Sequence, residues 1–440
     1  MKKAKRRVVI IGAAGRDFHN FNVFFRDNDA FEVVCFTAEQ IPGIAGRKYP
    51  STLSGKLYPD GIPIYEERDL EKIIKERKVD VGVLSYSDLN YKTVGNISAR
   101  VNAAGADFWL LGPRSTQIKS SKPLLAVCAV RTGCGKSQTS RYVSKLINDS
   151  GKRCVAIRHP MPYGNLAKQA VQRFACYDDL EKHECTIEEM EEYEPYIERG
   201  LVVYSGVDYG AILREAEKEA DVILWDGGNN DVSFYKPDLL ITVADPHRAG
   251  DEVNYYPGET NARMADVVII NKVDSASPEN VKTVEENIKR INPRAKILKA
   301  ESRVTVERAS ELKGKRVIVV EDGPTLTHGG MKYGAGTVAA QKAGAVVVDA
   351  RPYAVGSIKK TYAKYPHLDH VLPAMGYGAK QVSELEQTIN AAKNAEAVLI
   401  GTPIDLKRHI NIKKPCYRVT YEYVDAGGAL KKILTEKGFL

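Results

Sequence analysis

The chain contains no apolar run approaching the ~18 residues that a membrane-crossing helix requires, so no membrane partner is expected. It has no C-x-x-C pair. Its seven cysteines (Cys35, Cys128, Cys134, Cys154, Cys176, Cys185 and Cys416) are odd in number and do not form a disulfide framework. Several sit in apolar stretches and read as reduced, buried thiols. Cys176, His183 and Cys185 supply only part of a zinc ligand set. There is no internal repeat and no low-complexity tract. The net charge is +8, but no dense basic stripe with interleaved aromatics carries it, so nucleic acid is not an expected partner. The turn Gly12-Ala13-Ala14-Gly15 lacks G-x-G-x-x-G spacing, which argues against a nicotinamide cofactor there. The basic start and the short run Val8-Val9-Ile10-Ile11 lead straight into that turn. This predicts a first β-strand in place of a signal peptide, and a cytoplasmic protein.

What is present is α/β pattern from end to end. At 440 residues, with 43% hydrophobic and 27% charged, the chain is too long for one core and suits two or three domains. Strand and helix signals alternate over 1–121, which predicts a Rossmann-like N-terminal domain. Ser120-Ser121-Lys122-Pro123 reads as a linker. A P-loop NTPase domain with a mainly parallel sheet is expected over 122–344, followed by an α/β C-terminal region over 345–440. That region either extends the same sheet or forms a small third domain. A helix is predicted over 186–198, and its Glu188, Glu189, Glu191, Glu192 and Glu194 read as a solvated face.

The chemistry concentrates at Arg131-Thr132-Gly133-Cys134-Gly135-Lys136-Ser137. An apolar strand precedes this heptapeptide and a helical pattern follows it, with Gln138 in the first turn. A glycine turn at a helix start aims successive N–H groups at one point, where a polyphosphate can sit. Lys136 is placed to reach the β- and γ-phosphates, and the Ser137 hydroxyl to bind Mg²⁺. Val130 stands where the usual motif has its first glycine.

Three more elements follow. Val222-Ile223-Leu224-Trp225-Asp226 is a buried strand ending in a carboxylate suited to organising Mg²⁺, with Gly227-Gly228 behind it. Asn271-Lys272-Val273-Asp274 matches the N-K-x-D pattern, in which the carboxylate accepts from guanine. GTP and ATP both stay open as the nucleotide. Arg158 and His159 follow the second core strand, where α/β proteins bind ligands, and are candidates for an anionic substrate.

The order of these elements resembles the P-loop class that includes dethiobiotin synthetase and the nitrogenase iron protein. By that resemblance Arg131 replaces a second P-loop lysine that in some members reaches a phosphate across a dimer, which implies a catalytic role and a homodimer. A closer resemblance covers most of the chain. The stretch 321–331, with Gly323, Thr325, Thr327, His328, Gly329 and Gly330, is similar to the archaeal predicted GTPase / cyclic 2,3-diphosphoglycerate synthetase-like family. This implies nucleotide-dependent phosphoryl transfer and intramolecular phosphoanhydride formation on 2,3-diphosphoglycerate or a related anionic metabolite. Lys136, Arg131 and Asp226 would be catalytic, and Arg158, His159, His328 and Lys332 would hold substrate. A regulatory or metallochaperone-type GTPase and a non-enzymatic nucleotide sensor are the alternatives.

Overall fold

A computed structural model describes residues 4–13, 15–39, 44–159, 164–327, 329–368, 370–375 and 378–440, with the backbone alone at Asn229. Strands with apolar residues in unbroken runs are buried on both faces, as parallel sheets require. In Arg6–Ile11, Val8 and Ile10 enter one core while Val9 and Ile11 enter the opposite one. In Leu124–Ala129, Leu125, Val127 and Ala129 face one side, and Leu124, Ala126 and Cys128 the other. No helix among the described residues is long and apolar enough to cross a membrane.

The N-terminal sheet runs in the order Lys48–Tyr49, Ile62–Glu66, Phe31–Ala38, Arg6–Ile11, Val81–Leu84, Asp107–Leu110. All neighbours are parallel except the short first pair. The chain therefore builds outward on both sides of its first strand.

The second sheet has thirteen strands in two halves. The first half is ordered Val171–Phe174, Val202–Gly206, Cys154–Arg158, Val222–Asp226, Leu124–Ala129, Leu239–Ala244, Val267–Ile270. The long strand Lys296–Val306 joins it to the second half. Residues 296–299 pair parallel with Val267–Ile270, whereas 300–306 pair antiparallel with 419–425. Beyond Cys416–Asp425 lie Ala397–Gly401, Arg316–Glu321 and Val346–Val347, all parallel. Leu372–Pro373 pairs with the end of Arg316–Glu321.

With this register the two halves run in opposite directions and meet the long strand at opposite ends. Their carboxyl ends therefore point toward each other, with Ser302 and Val304 of the long strand between them in a shared cavity.

The N-terminal sheet is fastened to the first half by polar and aromatic contacts. Arg16 donates to the Val232 carbonyl at 3.3 Å, and His19 stacks on Phe234 at 3.9 Å. Leu89–Asn90 pairs with Tyr255–Tyr256. Arg131 completes the joint. Its guanidinium contacts Asp88 and Asp251, each at 2.6 Å, and lies 3.6 Å from the Tyr255 ring centre. Arg131→Met leaves both carboxylates facing a poorly solvated site, where losing one partner costs on the order of 3 kcal/mol. The expected result is a lower denaturant midpoint, read by following Trp109 and Trp225 fluorescence; an unchanged midpoint contradicts the joint.

Candidate nucleotide-binding site

Gly133 and Gly135 hold left-handed backbone, with φ of 83° and 106°. They turn the chain from Leu124–Ala129 into the helix Lys136–Asp149. A Cβ on Gly135 would lie 2.0 Å from the Asn271 amide nitrogen, so only glycine fits. The loop is braced from beneath. Asn271 donates to the Cys134 carbonyl at 2.9 Å, and Lys272 donates to the Gly133 carbonyl at 2.6 Å. Lys272 also pairs with Asp245 at 2.7 Å. Burial works to raise the Asp245 pKa, but Lys272 and Arg248 outweigh it and hold the carboxyl below its ordinary range. Asp274 lines the cavity and accepts from the Ser302 N–H at 3.1 Å. Ser302 in turn donates to Gln138 at 3.1 Å.

Asp226 is fully buried at the end of its strand, and four donors converge on it. Lys136 and Ser140 each reach Oδ1 at 2.7 Å, Tyr196 reaches Oδ2 at 2.7 Å, and Arg158 pairs with Oδ2. Arg158 also pairs with Glu192 and lies 3.5 Å from the Ser137 hydroxyl. His159 sits with Nδ1 2.9 Å from the Asp231 carboxylate. A Cβ on Gly228 would lie 1.7 Å from the His159 carbonyl, so that glycine permits the close approach of the two loops. Ser137 lines the cavity and fits a Mg²⁺ beside phosphates. Asp226, with both oxygens engaged by donors, fits an orienting role for that cation better than direct ligation.

Lys136, Ser137, Asp226, Arg158 and His159 are thus brought together. Arg131 lines the cavity as well, yet it is held by Asp88 and Asp251 of its own chain. Thr132 accepts from Arg248 through its carbonyl at 2.7 Å. Arg248 also donates to the Gly329 carbonyl at 2.8 Å, tying the P-loop to the glycine-rich stretch of the second half. The motifs do not single out Arg248, although its place just after the strand Leu239–Ala244 is a signal that could have found it. Lys332 is exposed and does not line the cavity. His328 lies outside the described residues.

The acidic helix differs most from expectation. It spans Ile187–Ile197 and is not a solvated face: Glu188, Glu189, Glu191 and Glu194 are 7, 2, 6 and 0% exposed. Glu188, Glu189, Glu191 and Glu192, with Glu321 and Asp322 from the second half, form one wall of the cavity that the P-loop also lines. That cavity has a volume of about 420 Å³. Glu321 accepts from the N–H groups of Gly334, Gly336 and Thr337 at 2.8 to 3.0 Å. Burial nevertheless raises its pKa against those bonds. The helix is pulled inward because Tyr193 and Tyr196 on it are also buried, Tyr196 against Asp226.

A model of the CobW/HypB/UreG nucleotide-binding domain matches residues 216–299, which hold Asp226, Asn271 and Asp274. Arginine synthetase ArcE of Thermococcus kodakarensis is 64% identical over 437 residues, covering 99% of this chain and 97% of that protein. Cyclic 2,3-diphosphoglycerate synthetase of Thermococcus sibiricus is 24% identical over 288 residues, covering 58% of this chain and 64% of that protein. The likeness to the diphosphoglycerate enzyme is therefore distant and partial, whereas the arginine synthetase matches end to end. Among solved structures, LpxK of Aquifex aeolicus in complex with ATP aligns at a TM-score of 0.41 and 12% identity, over 79% of this chain and 96% of that one.

Gly135→Ala tests the loop geometry. The substitution combines a 2.0 Å collision with left-handed backbone, a strain on the order of 1–3 kcal/mol. Nucleotide affinity measured by calorimetry should fall at least tenfold with the fold intact. Wild-type affinity in the variant contradicts the P-loop assignment.

Proposed function

The chain belongs to the arginine synthetase ArcE family, and we propose that it is a nucleotide-dependent ligase that forms arginine. The observation that carries this reading is the two-signed cavity, lined by Lys136 and Arg158 and also by the carboxylates of Glu188, Glu189, Glu191, Glu192, Glu321 and Asp322. A polyanion such as 2,3-diphosphoglycerate would face repulsion along that acidic wall. A guanidinium finds there the partners it binds best.

Arginine differs from citrulline by a nitrogen in place of the ureido oxygen. That oxygen is a poor leaving group until it is phosphorylated. In the first step it attacks the γ-phosphorus of ATP or GTP, and the nucleoside diphosphate departs. In the second, ammonia adds to the activated carbon, the C–O bond breaks and phosphate leaves. Phosphoryl transfer depends on alignment and charge cancellation more than on covalent participation by the protein. Lys136 moves its charge from Asp226 to the phosphates. Arg158, between Asp226 and Ser137, neutralises the transferring group, and Asp226 keeps both cations oriented. Ser137 would hold a Mg²⁺, which when bound would supply further charge neutralisation on the phosphate oxygens. The Asn271 and Lys272 braces keep the P-loop N–H groups aimed during transfer.

Purified protein given Mg²⁺, ATP or GTP, citrulline and ammonium should release arginine, nucleoside diphosphate and phosphate in equal amounts. Lys136→Ala should lower that turnover by about 10²- to 10³-fold, the range for losing a charge-stabilising donor. Nucleotide hydrolysis with no arginine formed contradicts the reading.

A further inference from the structure

The acidic wall is not uniform. Glu189 has both oxygens satisfied, one by the Thr186 N–H and hydroxyl and the other by Gln169. Glu192 is paired with Arg158. Glu321 caps the helix Ala335–Ala343. Asp322 accepts from the N–H and hydroxyl of Thr325. Glu188 has a partner too, though its Oε2 takes no hydrogen bond among the described residues. Glu191 is held from the second half of the sheet. Its Oε1 accepts from the Thr402 hydroxyl, but among the described residues Oε2 meets no donor, and the carboxyl lies against that of Asp322, although the residue is 6% exposed and lines the cavity. A buried carboxylate oxygen without a donor is costly, and in a ligand cavity it points to a ligand that brings one.

We infer that Glu191 is the catalytic base of the ligation step, binding the incoming ammonium through Oε2 and taking its proton. The inference rests on the arginine-forming reading. Ammonium gives one proton to the Glu191 carboxylate and becomes ammonia. The ammonia lone pair attacks the phosphorylated ureido carbon. The C–O bond breaks, its electron pair leaves with the phosphate, and a second proton of the attacking nitrogen goes to that phosphate, leaving the guanidinium. Glu191 lines the same cavity as Lys136 and Arg158. Burial, and then the nearby Asp322 charge, push the Glu191 carboxyl well above its ordinary range, which makes it a stronger base than an exposed glutamate.

The test replaces Glu191 with Gln in the full chain and compares two nucleophiles. Ammonium must be deprotonated before it attacks, whereas hydroxylamine is already unprotonated at neutral pH. Glu191→Gln should lower arginine formation from ammonium by at least ~100-fold, the scale of a lost general base. With hydroxylamine its rate should stay within a few-fold of wild type. Equal loss with both nucleophiles, or no loss with ammonium, overturns the assignment while leaving arginine formation by the wild type standing. Failure of the wild type to make arginine overturns both. Folding is controlled by the sign of the linkage. A raised carboxyl pKa adds stability at low pH that is lost as pH rises through it, so at neutral and higher pH Glu191→Gln should melt no lower than wild type. If the glutamine variant fails to fold, Glu191→Asp serves. It keeps the charge but withdraws it, and should lose rate with ammonium only.

Discussion

Everything at this site depends on one buried carboxylate. Asp226 has no exposed surface, and an isolated charge in that position would be prohibitive. It is tolerated because Lys136, Ser140, Arg158 and Tyr196 all donate to it. These four come from the P-loop helix, the second core strand and the acidic helix. Their shared obligation to Asp226 fixes where those elements sit. Buried ion clusters of this kind contribute little net stability against an apolar alternative, but breaking one member is expensive. The network therefore acts mainly to specify geometry. It holds two cations beside a phosphate-binding turn and brings the glutamate-rich helix with them.

The second constraint is the register along Lys296–Val306. By pairing parallel with one half of the sheet and antiparallel with the other, this strand turns two sets of carboxyl ends toward one cavity. The first half contributes phosphate-binding N–H groups and cations. The second contributes Glu321, Asp322 and the Thr402 hydroxyl that positions Glu191. Charges of both signs within a single cavity suit the proposed ligation, in which one reactant is a polyphosphate and the product is a cation. Arg248, bonded to both Thr132 and Gly329, ties the P-loop to the glycine-rich stretch of the second half.

Much of this was legible in the sequence where the signal is local. The buried strands announce themselves as unbroken apolar runs, and the P-loop and the Asp226 strand end carry their chemistry in adjacent residues. Short strands were not visible. Ile62–Glu66 is interrupted by Pro63 and ends in Glu66, and Val171–Phe174 is an edge of four residues. The role of Asn271 and Lys272 in bracing the P-loop depends on contacts to carbonyls more than a hundred residues away. The same holds for Arg131. Its sequence position suggested a partner subunit's phosphate, whereas its neighbours are Asp88 and Asp251 within the chain. The acidic helix was the largest departure. Five glutamates within seven residues look solvated until Thr402 and Arg158 are brought to them by the fold. Charge density alone cannot distinguish an outer face from a binding wall.

The central claim is that nucleotide energy is delivered to the ureido oxygen in this cavity. It can be followed atom by atom. Citrulline carrying oxygen-18 in its ureido group should give inorganic phosphate containing one labelled oxygen per arginine formed, seen as an isotope shift in the phosphorus NMR spectrum. Phosphate free of the label, with arginine still produced, would contradict phosphoryl activation and the role assigned to the P-loop.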